Sequence, residues 1–215
     1  MEENQPEHHH QLSTRRLEAL SDGIFAFAMT LLVLDLQFPD AAATSGTPLS
    51  TLLFGQIPRF FNFFLSFVLL AVFWIIHNQQ FHHIKRTDKQ HLWINIGLLA
   101  FIVLIPFSAS LEGDFEGQMP SELFFAGNMF VVGLFFLANW AYAAVGKHFT
   151  DEALEEKFIR DSLVSSMIIP SVALLAMVTA LFIPQHSSDC FLLIPIILVG
   201  LGFRKRQKQK AQLLL

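Results

Sequence analysis

Long apolar stretches separated by short polar segments run through most of the chain. Because a bilayer core of about 30 Å needs about 20 apolar residues in a helix, six of these stretches qualify or nearly qualify as membrane spans. They cover Leu17–Phe38, Ile57–Phe81, Leu92–Leu111, Leu123–Val145, Leu163–Ile183 and Cys190–Phe203. The pattern predicts an all-α membrane protein with six transmembrane helices, of which the sixth is short.

Composition supports a membrane protein and excludes several other classes. Of the 215 residues 53% are hydrophobic and only 15% are charged, against about 25% charged residues in a typical soluble domain. The single cysteine, Cys190, has no partner for a disulfide within the chain. A secreted disulfide scaffold and a nucleic-acid-binding module are therefore excluded, and we predict a lipid bilayer as the surroundings of the chain.

The basic residues predict the orientation. With an even number of spans both termini lie on one face of the membrane, and of the 14 Lys and Arg residues all but Arg59 fall on that face. Positive residues accumulate in cytoplasmic loops. We therefore expect cytoplasmic termini. The opposite face collects the carboxylates of Asp40, Glu112, Asp114, Glu116, Glu122 and Asp189.

The first span differs from the others. Its continuous apolar part, Gly23–Leu34, is bracketed by Asp22 and Asp35. Twelve helical residues rise only about 18 Å, which is too short to cross the hydrocarbon alone. Acidic residues near membrane depth usually face a protein interior or an aqueous path. This span is therefore expected to line an interior or a pathway.

The spacing of Phe27, Leu31 and Leu34 places them in one stripe of a helix, with Gly23 and Thr30 near the same sector. In a tetramer the stripe would form stacked apolar rings, and narrow apolar necks can gate ions by losing water. The same spacing also fits an ordinary seam of helix packing, and periodicity alone favours the seam.

Two sequence blocks resemble one known family. The segment Arg16–Gly23 matches the signature R-x-x-x-F-S-D-G, followed by I-F-A-F-A-M-T-L-L-V-L-D-L. The second block comprises Phe73-Trp74-Ile75-Ile76-His77, Arg86-Thr87-Asp88, Trp93, Asn95 and Pro106-Phe107. In order and spacing the blocks are similar to prokaryotic members of the transmembrane protein 175 family of potassium channels. The resemblance covers the first half of the chain.

The resemblance implies a homotetramer of six-helix subunits in the plasma membrane, with potassium ions as the permeant partner and a central pore lined by the first helix. It places the constriction on Phe27, with Leu31 and Leu34 following and a threonine layer at Thr30. It also assigns Arg16, Ser21 and Asp22, with His77 as a candidate partner, to a polar network that supports the pore helix. Two positions depart from the family: Leu20 replaces Phe, and Phe27 replaces the more usual Ile.

The implied organisation is a disordered cytoplasmic tail over 1–14, a channel domain over 15–203 and a basic cytoplasmic tail over 204–215. The alternative function is a secondary transporter coupled to protons or cations. Transporters often carry internal repeats, and the second half has no copy of the Arg16–Gly23 block, although Pro170 would be suited to break the fifth span.

Other chemistry has little support in the sequence. No Ser-His-Asp set, H-E-x-x-H motif or phosphate-binding loop is apparent, so we predict neither an enzyme nor a cofactor, and no catalytic residue. His82 and His83 are adjacent but have no cysteine or acidic partner at metal-ligand spacing. We therefore predict no metal site there.

Overall fold

The computed structural model describes residues 14–37, 46–145, 149–150 and 155–200. Nearly all of these residues are helical, which confirms the predicted all-α class, and the nearest approach to a strand among them is isolated bridge pairing at Ile84, Thr87 and Thr150. The predicted terminal tails lie outside the described residues, except that Thr14 already begins the first helix.

The helices follow the predicted spans closely. In chain order they are α1 Thr14–Leu31, α2 Leu49–Gly55, α3 Ile57–His83, α4 Lys89–Asp114, α5 Met119–Ala144, α6 Glu156–Ser166, α7 Ile168–Phe182 and α8 over residues 193–200. A 3-10 turn, Leu32–Asp35, continues α1. Two more, Pro184–His186 and Ser188–Leu192, form the reversal between α7 and α8.

Five segments of the described chain are long and apolar enough to cross a membrane: Thr14–Asp35, Ile57–His83, Lys89–Asp114, Met119–Ala144 and Glu156–Phe182. The sixth predicted span, Cys190–Phe203, begins with a 3-10 turn and is α-helical over 193–200. Its remaining residues lie outside the described part, so a sixth crossing stays a prediction.

The fifth span consists of two helices, because α6 ends at Ser166 and α7 begins at Ile168. Pro170 lies one turn beyond this break. Its ring has no N–H to donate and clashes with the carbonyl four residues earlier, which belongs to Ser166. Gly133 on α5 packs against the proline, since a Cβ on Gly133 would lie 2.7 Å from Pro170 Cδ. A glycine is therefore needed where α5 meets α7.

All Lys and Arg residues of the described ranges except Arg59 lie at one end of the bundle. The basic end, defined by the start of α1, the α3–α4 loop and the start of α6, carries Arg15, Arg16, Lys85, Arg86, Lys89, Lys157 and Arg160. The acidic end, defined by the α4–α5 turn and the α7–α8 reversal, carries Glu112, Asp114, Glu116, Glu122 and Asp189. Between the ends lies one apolar core to which α1, α3, α4, α5 and α7 contribute.

Candidate functional site

The first helix packs with one face and leaves the other uncovered. Its buried residues recur every three or four positions, which is the spacing of one helical face: Leu17, Ser21, Phe25, Ala28 and Leu32. The opposite face is formed by Arg16, Leu20, Gly23, Phe27, Thr30 and Leu34, all of them exposed. We call this second set the open face of α1.

The predicted pore residues fall on or beside the open face. The side chains of Phe27 and Leu34 are among the most exposed large apolar groups of α1 and its 3-10 extension, at 57% and 61%. Thr30 is also exposed, whereas Leu31 is half-buried at the edge of the face. The uncovered stripe therefore runs through Phe27, Thr30 and Leu34 more directly than through Leu31.

The hydroxyl of Thr30 has a fixed orientation. Its Oγ1 donates a hydrogen bond to the carbonyl oxygen of Phe27 at 2.7 Å. Because a hydroxyl has one proton and two lone pairs, the bond uses the donor and leaves acceptor capacity on the oxygen. The open face thus carries an oxygen acceptor beside its apolar side chains.

The predicted support network is only partly as expected. Ser21 is buried and donates to the carbonyl of Leu17 at 2.8 Å. Asp22 accepts a hydrogen bond from Trp74 Nε1 on α3 at 2.8 Å, so its partner is the indole rather than His77. The exposed Arg16 forms no ion pair with any residue in the described ranges.

His77 is buried in an aromatic stack. Its ring lies 4.5 Å from that of Phe81 and 5.8 Å from that of Phe25, between centroids. His77 Nε2 has no hydrogen-bond partner among the described residues, so the pairing of His77 with Arg16 or Asp22 stays a prediction. His77 still contributes to the attachment of α1, through Phe25.

A buried chain of amides beneath the basic end was missed by sequence reasoning. Asn139 on α5 donates to Gln80 Oε1 on α3 at 2.8 Å, and its own oxygen accepts from Asn95 on α4 at 2.8 Å. The signal for finding it was present, since three apolar spans each contain an amide side chain. Hydrogen bonds between such groups join helices in a membrane.

The α3–α4 loop is held by a capping aspartate. Asp88 Oδ1 accepts from the backbone N–H of His91 at 2.7 Å, and Asp88 Oδ2 accepts from the Tyr142 hydroxyl at 2.8 Å. Desolvation raises the pKa of Asp88, but these hydrogen bonds to the carboxylate outweigh it and the net shift of the pKa is downward. Asp88 therefore stays ionised as the N-cap of α4.

The acidic end anchors the far end of the first span. Ser110 on α4 donates to Asp35 Oδ1 at 2.7 Å. Asp35 and Asn62 also lie close to Gly113 on α4. A Cβ built on Gly113 would lie 3.3 Å from Asp35 Oδ2 and 3.8 Å from Asn62 Nδ2. The first span is thus fixed at both ends, by Trp74 towards the basic end and by Ser110 at the acidic end.

Taken together, fold and site define a helical membrane protein whose first span is anchored through one face and carries an uncovered, mostly apolar face with a hydroxyl in it. A family model described as "Endosomal/lysosomal potassium channel TMEM175" matches residues 16–106. A potassium channel of Chamaesiphon minutus is 30% identical over 138 residues, which are 62% of this chain and 68% of the relative. The chain belongs to the TMEM175 family.

Further comparisons agree with this membership. A potassium channel of Streptomyces collinus is 27% identical over 144 residues, covering 65% of this chain and 69% of that protein. The endosomal/lysosomal proton channel TMEM175 of Homo sapiens is 32% identical over 146 residues, but the match spans only 29% of its length.

Solved structures show the same fold. The crystal structure of a lysosomal potassium-selective channel TMEM175 homolog from Chamaesiphon minutus superposes with a TM-score of 0.77 at 26% identity, covering 87% of this chain and 97% of that one. A crystal structure of the potassium channel MtTMEM175 superposes with a TM-score of 0.61 at 19% identity, which speaks for the fold alone.

Proposed function

We propose that the chain is the subunit of a homotetrameric, potassium-permeable cation channel whose pore is lined by the open face of α1. The observation that carries the proposal is the open face itself, in a chain whose bacterial relatives are named potassium channels. In a tetramer four open faces surround one axis and cover each other. Membership in a family described as channels also supports the prediction that the chain is not an enzyme.

The polar residues of α1 favour a pore over a lipid contact. Asp22 is exposed and directly precedes the apolar part of the first span, Gly23–Leu34. Ionisable groups within membrane spans face a protein interior or a water-filled cavity. Arg16, which has no partner within the described subunit, would then find its partner across the subunit boundary.

The open face also suggests how the channel would select potassium. Rings of Phe27 and Leu34 offer no oxygen to replace hydration water, so ions cross the neck partly dehydrated. Partial dehydration costs less for potassium than for the smaller, more strongly hydrated sodium ion. Thr30, with its proton already donated to Phe27, would present oxygen lone pairs to the ion beside the neck.

Liposome flux tests the proposal. Vesicles containing the purified chain and loaded with potassium should show potassium efflux down a gradient without valinomycin when a protonophore supplies the compensating charge, and a smaller efflux when they are loaded with sodium. Discrete conductance steps in a planar bilayer should accompany it, because a transporter turns over too slowly to produce them. Proton movement without any potassium flux would contradict potassium permeation, and flux without conductance steps would favour a transporter.

We further propose that the protein lies in the plasma membrane with six crossings and with the basic end in the cytoplasm. Arg86 and Gln118 are exposed loop residues at the basic and acidic ends. In a Cys190→Ser background, an impermeant thiol reagent added to intact cells should label Gln118→Cys but not Arg86→Cys until the cells are lysed. Labelling of Arg86→Cys alone would reverse the orientation.

A further inference from the structure

A pocket of about 360 Å³ opens at the acidic end and has carboxylates in its wall. Glu112 on α4 and Glu122 on α5 both line it, and each residue is only 2% exposed. Two carboxylates buried in one pocket need their charge neutralised by a proton, an ion pair or a bound cation, because a charge withdrawn from water is costly.

One carboxylate oxygen in this pocket lacks a partner. Glu122 Oε1 accepts the backbone N–H of Gly117 at 3.3 Å, where the α4–α5 turn adopts a positive φ of 72°. Glu122 Oε2 is buried and has no hydrogen-bond partner among the described residues. Glu122 therefore keeps an oxygen with free lone pairs beside the pocket.

The two buried glutamates, Glu112 and Glu122, have no basic partner among the described residues. None of the residues that line the pocket is Lys, Arg or His. Two basic residues follow wall residues in the sequence, and each pairs with an aspartate. Arg59 pairs with Asp114 at 3.0 Å, and His186 pairs with Asp189 at 3.0 Å. The other oxygen donors in the wall are the exposed carboxylates of Glu116 and Asp189 and neutral groups that include the amide of Asn62 and the hydroxyl of Ser188.

We propose that this pocket binds a partly hydrated divalent cation of the magnesium type, with Glu112 and Glu122 as its protein ligands. Among the described residues no three His, Cys, Asp or Glu side chains are placed to hold one metal ion together, which disfavours a calcium cage of many protein oxygens. Magnesium keeps several waters and is commonly held by one or two carboxylates. A volume of 360 Å³ holds such a hydrated ion.

An ion bound in this pocket would stabilise the helices around the end of the first span. Asn62 lines the pocket and also lies near Gly113, where Asp35 approaches from the end of the first span. A bound cation would therefore join α4 and α5 beside Asn62 of α3, next to the anchor of α1. We expect magnesium to raise the temperature of unfolding of the purified protein at constant ionic strength.

Manganese provides a direct test, because it shares the octahedral oxygen coordination of magnesium and its free ion has an EPR signal. The purified full chain in neutral detergent should bind one Mn²⁺ per subunit, and Mg²⁺ but not Na⁺ should displace it. Glu122→Gln and Glu112→Gln should each weaken binding by about tenfold or more. Asp161→Asn removes an exposed carboxylate at the other end of the bundle and should leave the affinity unchanged.

The single cysteine allows a test without altering the pocket. Cys190 follows Asp189, a residue of the pocket wall, so a nitroxide attached to it should be broadened by bound Mn²⁺. Absence of saturable binding in the unaltered chain would overturn the proposal, as would binding that neither broadens the label nor responds to the two Gln variants. These readouts do not depend on ion flux, so their failure is distinguishable from a failure of the channel proposal.

Discussion

Replacing Phe27 with asparagine is expected to increase the potassium current and to weaken the preference for potassium over sodium. Phe27 is 57% exposed on the open face of α1, and in a tetramer its four rings would form the narrowest apolar layer. A smaller, polar side chain widens this layer and keeps it hydrated. We expect a rise in current of about tenfold, which corresponds to ~1.4 kcal/mol off the barrier to permeation. Recordings under bi-ionic potassium and sodium conditions measure both quantities.

A control on another helix distinguishes a change in the pore from a general effect of placing asparagine at an exposed apolar position. Leu174 on α7 has a similar exposure, 52%, but lies outside the first span, so Leu174→Asn should change neither current nor selectivity. Thr30→Ala should reduce selectivity more than conductance, because it removes an oxygen without widening the neck. If Phe27→Asn assembles normally and conducts like the original chain, the open face is a packing seam and the pore lies elsewhere.

The apolar pattern of the sequence predicted most of the fold because membrane spans are long and uniform. The bounds of α3, α4 and α5 agree with the predicted spans to within a few residues at most ends. The break in the fifth span was harder to place. Pro170 signalled that a break was possible, but the discontinuity at Met167 depends on the clash of the proline ring with the preceding turn.

Side-chain partners were less predictable than helices. Periodicity placed Phe27 and Thr30 on one face of α1, and both are exposed there. It gave no means of choosing between Trp74 and His77 as the partner of Asp22, because the two residues lie one turn apart on the same helix. The choice depends on how α1 and α3 cross and on Phe25, which occupies the space beside His77.

The hydrogen bond between Trp74 and Asp22 is expected to contribute to the stability of the subunit. Hydrogen bonds to charged groups contribute about 1.5–3 kcal/mol when well shielded, and Trp74 is 39% exposed. We therefore expect Asp22→Ala and Trp74→Phe each to lower the free energy of unfolding by roughly 1 kcal/mol. Asp22→Asn should cost less, because the amide oxygen still accepts from the indole. Denaturant titration of the purified protein measures each change.

A double-mutant cycle shows whether the two residues act through one another. If the bond from Trp74 Nε1 to Asp22 positions the first helix, the double variant should lose little more stability than either single variant. The fraction of assembled tetramer should fall in parallel, while the selectivity of the channels that do assemble stays unchanged. Additive losses in the cycle would mean that Asp22 and Trp74 act independently.

Arg16→Gln should leave the free energy of unfolding of the subunit unaffected, since Arg16 has no ion-pair partner among the described residues. A well-assembled Asp22→Asn channel with altered selectivity would make Asp22 an ion-contacting residue rather than a support for the pore helix.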